Sequence, residues 1–139
     1  MAAITWKDDY SVGVGMMDNQ HKQLFALINQ LYEAMQKSAT DDVMKTILPG
    51  LLNYTKIHFA AEEKLIAQAD YPELEAHQAY HRQFTAKVAE TIEKCNRTGI
   101  VPTVSLVTFL KDWLSNHILV KDKHYGVYIN SKKTVGAAR

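Results

Sequence analysis

From His21 onward, apolar side chains recur at intervals of three and four: His21, Leu24, Phe25, Ile28, Leu31, Tyr32 and Met35. That period is one face of an α-helix. Asp18 stands just ahead of it, where its carboxylate can accept free backbone N–H groups and is expected to cap the helix. Ser38 to Asp42 breaks the stripe, and a second one runs through Ile47, Leu51, Tyr54, His58, Glu62, Leu65 and Ala69. Pro49-Gly50 interrupts its first third, which predicts a kink or a short separate segment, since proline removes a donor and crowds the preceding turn. Asp70-Tyr71-Pro72 reads as a turn. Beyond it Leu74, His77, His81, Phe84, Val88 and Ile92 share a third helical face, which Asn96 to Gly99 ends. Pro102 opens a fourth helix with Leu106, Leu110, Trp113, Leu114, His117 and Ile118 on its inner side.

Four amphipathic helices with short connections predict an all-α fold, an antiparallel up-down-up-down four-helix bundle. Residues 1–17 lack helical periodicity but offer Trp6, Tyr10, Val12 and Val14, and are expected to form an ordered N-terminal arm against the body. The expected organisation is a single domain over 1–139, with the arm at 1–17, the bundle over about 18–122 and a tail over about 123–139 whose last several residues are mobile.

Composition narrows the functional classes. The chain of 139 residues suits one core rather than two. Sixteen basic against fifteen acidic residues give no field to attract nucleic acid or an anionic membrane. Cys95 is the only cysteine, so no internal disulfide can form. No run approaches the roughly 20 apolar residues of a membrane span. The first ten residues, MAAITWKDDY, carry acids where a secretory leader would be basic and apolar, so the cytoplasm is the expected compartment. The nearly neutral surface suits a monomer.

The chemistry lies in the histidines. Five of the six, His21, His58, His77, His81 and His117, fall on the interior stripes. Several desolvated imidazoles in one small core are costly unless something binds them, and a metal does so. His58 and Glu62 are four apart, as are His77 and His81, so each pair projects from one helix face. His117 and Asp122 are five apart. For both to be ligands the helix must loosen, widen or end between them, which predicts an irregular turn at Val120 to Asp122. Glu63 is expected to point elsewhere and be solvated, and His124 to have no role at the site.

The order His21, His58-x-x-x-Glu62, His77-x-x-x-His81 and His117-x-x-x-x-Asp122 resembles the hemerythrins. The N-terminal WKDDYSVGVGMMDNQHKQLF is similar to their bacterial branch, and the flanking HFAAEE and YPELEAHQAYH carry the likeness on. Departures are Ile66 where methionine is frequent, Met17 where isoleucine is, and the Pro49-Gly50 pair. The resemblance implies two iron ions (Fe2+/Fe3+) joined by an oxo or hydroxo bridge. One would be held by His77, His81 and His117, the other by His21 and His58, with Glu62 and Asp122 bridging. Counting ligands, the first iron is then saturated at six and the second keeps one open position. Trp113, Leu114 and Ile118 would line an oxygen pocket.

The implied work is reversible binding of molecular oxygen for transport, storage or delivery, with an oxygen-consuming enzyme as one conceivable recipient. A carrier is expected rather than an enzyme, because the nitrogen-rich set lacks the Glu-x-x-His of ferritin-like di-iron catalysts. Two alternatives stay open: a di-iron enzyme or stress-response protein handling peroxide or nitric oxide, and metal storage or a zinc-bound structural bundle.

Overall fold

The structure, a computed structural model, describes residues 3–137. Helix α1 spans Gly15–Gln36, α2 Leu48–Gln68, α3 Leu74–Thr98, α4 Thr103–Asn116 and α5 Lys123–Ala137. Two π-helical segments join neighbours without a break: Val43–Ile47 leads into α2, and His117–Asp122 links α4 to α5. The chain is therefore four long helical rods, an antiparallel up-down-up-down bundle, with α1 packed on α2 and α4, and α2 packed on α3. No strand occurs among the described residues, and no helix there is long and apolar enough to cross a membrane.

Local chemistry accounts for the breaks. Gly99 takes the left-handed conformation (φ 73°) that ends α3, and its N–H donates back to the Cys95 carbonyl. The widened turn Val43–Ile47 lies directly ahead of Pro49, whose ring crowds the carbonyl four residues back and whose nitrogen has no hydrogen to donate. The helix thus carries a widened turn just ahead of the proline. The buried face of α2 is carried by Leu48, Leu51, Thr55, His58, Phe59, Glu62 and Ile66. Tyr54, Leu65 and Ala69 sit half-buried at its margin.

Three expectations are corrected. α1 begins at Gly15, so Asp18 lies inside its first turn and caps nothing. Its carboxylate instead holds the arm: Ser11 Oγ donates to Oδ2 at 2.6 Å and the Val12 N–H to Oδ1 at 2.8 Å. Farther out, the Asn29 amide clamps Ile4 through both its N–H (3.0 Å) and its carbonyl (2.8 Å). Second, the segment expected to be a tail is helix α5, which buries Tyr125 and Ile129 in the core. Gly126 shows how tightly the arm covers it, because a Cβ there would lie 1.9 Å from the Val12 carbonyl oxygen. Of the mobile end that was expected, residues 138 and 139 lie outside the described residues. Third, Glu63 is not simply solvated, as the site shows.

Candidate metal centre

All four rods contribute to one buried polar centre. α1 supplies His21, α2 supplies His58 and Glu62, α3 supplies His77 and His81, and the π-helical segment supplies His117 and Asp122. Each of the seven is less than one-tenth exposed. The π-helical turn has a geometric purpose. Its i→i+5 bonding returns the chain to the same face after five residues, which brings His117 and Asp122 inward together.

The imidazoles all present Nε2. Glu62 Oε1 lies 2.8 Å from His77 and 2.9 Å from His81, while its Oε2 lies 3.3 Å from His21 and 3.4 Å from His58. Asp122 repeats the division, with Oδ1 3.1 Å from both His77 and His117 and Oδ2 3.1 Å from His21. Each carboxylate thus turns one oxygen to a three-histidine half and the other to a two-histidine half.

Hydrogen bonding alone does not satisfy this arrangement. Asp122 Oδ1 is buried with no hydrogen bond despite two nitrogens at 3.1 Å. The His81 and His117 Nε2 atoms face each other at 3.3 Å. Such convergence suits donors to a common cation, and the groupings Glu62/His77/His81/His117/Asp122 and His21/His58/Glu62 could each hold one. Carboxylates shared between the halves suit cations of high coordination number better than closed tetrahedral zinc.

Electrostatics of the metal-free centre point the same way. Burial pushes the Glu62 carboxyl up, but hydrogen bonds from His21, His58, His77 and His81 overcome it and hold the group well below the usual carboxylate range. Asp122 is likewise depressed, against its burial and the Glu62 charge, chiefly by His117 and His21. Burial alone would lower His21 and His77, yet the nearby Asp122 and Glu62 carboxylates raise each to about 9. Without metal, protons on these two rings balance the two carboxylates.

The centre and the fold together carry the family signal: residues 12–129 match the Hemerythrin HHE cation binding domain. The chain belongs to the hemerythrin family. It is 35% identical over 128 residues to a bacteriohemerythrin of Stenotrophomonas maltophilia (strain R551-3), covering 90% of this chain and 80% of that one. With a bacteriohemerythrin of Methylococcus capsulatus it shares 31% over 127 residues, covering 91% and 96%. A crystal structure of wild-type hemerythrin matches with a TM-score of 0.85 at 29% identity, covering 91% of this chain and 97% of that chain.

Behind this hemerythrin centre stand residues that sequence reading missed. His81 Nδ1 lies 2.8 Å from Glu63 Oε2, and a carboxylate can only accept, so Nδ1 donates, and Nε2 is the nitrogen that would turn a lone pair to a cation held at the centre. His58 Nδ1 lies 2.7 Å from Gln20 Oε1. The Tyr125 hydroxyl donates to Glu62 Oε2 at 2.9 Å, and burial followed by the nearby carboxylates raises the phenol far above its usual range. The available signal was chemical: a metal-binding histidine needs an acceptor at its other nitrogen, and Glu63 and Gln20 adjoin the candidate ligands Glu62 and His21. Tyr125 gave no such signal, lying in the expected tail.

Of the expected pocket, Trp113 is half-buried and stacks on His117 (centroids 4.5 Å apart, 14° between planes), so it lies on the three-histidine half. Leu114 and Ile118 are buried in the core. Phe59, which sequence reading did not single out, stacks on His81 at 3.7 Å and 2°. His124 is exposed, with Nδ1 3.0 Å from Glu73 Oε2 and from the Tyr71 hydroxyl.

Proposed function

We infer that this hemerythrin-family chain binds molecular oxygen reversibly at two iron ions. His77, His81 and His117 would hold one, His21 and His58 the other, and Glu62 and Asp122 would bridge. When bound, two iron ions joined by an oxo or hydroxo group would supply reversible two-electron chemistry, each ion passing between Fe2+ and Fe3+, and the ligand count would leave the vacant position on the two-histidine side.

The chain's own residues supply containment. Among the described residues, the buried polar or charged side chains are the seven candidate ligands and Thr55, whose hydroxyl is spent on the Leu51 carbonyl at 2.7 Å. That inventory carries the preference for a carrier over a catalyst, because beyond the candidate ligands and the Tyr125 phenol no acid or base is buried there to drive a reduced oxygen species off as product. Tyr125 is the one further hydroxyl at the centre, and its raised pKa means that it keeps its proton. Phe59 and Trp113 cover the rings of His81 and His117, and with buried Leu114 and Ile118 near His117 in the chain they would keep water and protons from that side of the centre, which would slow irreversible oxidation. The name bacteriohemerythrin borne by the relatives supports the same reading.

The test is iron content followed by visible spectra as reduced protein is cycled between oxygen and vacuum. A colour that appears and disappears over many cycles is the expected result. Rapid irreversible oxidation, or sustained turnover of peroxide or nitric oxide with a reductant, would replace carriage by the enzyme reading.

A further inference from the structure

The two halves of the centre differ in what stands behind their imidazoles as well as in histidine count. In the three-histidine half, His81 Nδ1 donates to the Glu63 carboxylate at 2.8 Å. Phe59 stacks flat on the same ring, and Trp113 stacks on His117. A carboxylate at Nδ1 fixes tautomer and orientation and makes Nε2 a stronger donor to a cation. In the two-histidine half, His58 Nδ1 meets only the neutral amide oxygen of Gln20, at 2.7 Å. His21 Nδ1 is buried with no partner at all. A buried N–H without an acceptor is costly, and its ring gains no donor strength from behind.

We propose that the halves take up metal unequally, and that Glu63, as a positioning residue acting through His81, makes the His77/His81/His117 half the tighter one, filled first and emptied last. This rests on the metal-centre reading above. The two-histidine half, with the weaker support, is also the half left with a vacant position. Coordination number and donor strength therefore run in the same direction: one side anchors, and the other exchanges.

The experiment uses the full metal-free chain titrated with Zn2+ alone, a redox-silent probe, followed by calorimetry and by NMR of the histidine ring nitrogens. Two separate binding steps are expected. The first equivalent should shift the ring signals of His77, His81 and His117, and the second those of His21 and His58. Glu63→Gln keeps an acceptor but removes the charge, and should weaken the first step by about 10-fold or more while leaving the second nearly unchanged. Gln20→Glu, the converse change behind His58, should strengthen the second step and draw the two together. A loss of structure would weaken both steps alike, so selectivity between them separates positioning from folding. The proposal is overturned if both equivalents bind in one step, if His21 and His58 respond first, or if Glu63→Gln weakens both steps equally. Failure to bind two equivalents of either Zn2+ or, with oxygen excluded, Fe2+ would instead overturn the metal-centre reading on which it rests.

Discussion

Replacing Gly126 by alanine gives an expectation whose sign distinguishes two accounts of the chain's end. In an open helix, Gly→Ala is worth a gain of about 0.8–1 kcal/mol, from reduced backbone freedom in the unfolded chain. Here the new Cβ would fall 1.9 Å from the Val12 carbonyl oxygen, 2.9 Å from its carbon and 3.3 Å from the Val12 Cβ. Carbon and oxygen do not ordinarily approach within about 3.3 Å, so the arm must retreat from α5 by more than about 1 Å. α5 itself is pinned by buried Tyr125 and Ile129 on either side. Retreat uncovers Val12, worth about 1.5–3 kcal/mol when fully buried. It also strains the bonds of Val12 N–H and Ser11 Oγ to Asp18, where a hydrogen bond to a charged group contributes about 1.5–3 kcal/mol. Taking the Val12 loss with part of one such bond, and subtracting the helix gain, leaves a net destabilisation of about 2–4 kcal/mol. Urea unfolding of the metal-free protein by circular dichroism measures it. With a slope of about 2 kcal/mol per molar, the midpoint should fall by roughly 1–2 M. A midpoint equal to or above that of the unaltered chain would refute the contact between arm and α5.

Tyr125→Phe removes the hydroxyl that donates to buried Glu62 and should lower the stability of the metal-free protein by about 1.5–3 kcal/mol, read from the same urea curves. Glu62→Ala removes a group that faces both halves of the centre; iron analysis should find fewer than two equivalents, and two normally bound irons would rule out its bridging role. For the metal-free protein, His21 and His77 are raised to about 9 in the fold from an ordinary 6.5. Their stabilisation is complete below about 6.5 and is lost as the pH rises through 9, so the urea midpoint at pH 9 should lie below that at pH 6.5; a flat or rising midpoint would contradict the pairing. Glu62 and Asp122 are depressed and act in the opposite sense, so acid should also destabilise the fold as these carboxylates protonate.

The helices and most inward positions were legible because a helix repeats every 3.6 residues, and a residue's face follows from its place in that repeat. The same arithmetic marked His117 and Asp122 as incompatible with a regular helix. The turn there is π-helical, and extends back to His117 beyond the Val120 to Asp122 stretch expected to be irregular. Less legible was anything that depends on a partner distant in sequence. Asp18 carries the marks of a cap, yet its carboxylate is taken by Ser11 and Val12 of the arm. Glu63 lies off the stripe of its own helix, but its chain is long enough to reach His81 on the neighbouring one.

Sequence by itself determined four amphipathic helices, an interior lined with imidazoles and carboxylates, and the family likeness, because each is written in local spacing and residue type. Tertiary structure decided how Glu62 and Asp122 divide their oxygens between two groups of histidines, which imidazoles have an acceptor behind them, and that residues 123–137 form a helix rather than a tail. Tyr125 joins both levels: its sequence context gave no role, and only packing beneath the arm brings its hydroxyl to Glu62. The physical reason is that helical period is a property of a few consecutive residues, whereas a hydrogen bond between residues 62 and 125 exists only once the rods have packed.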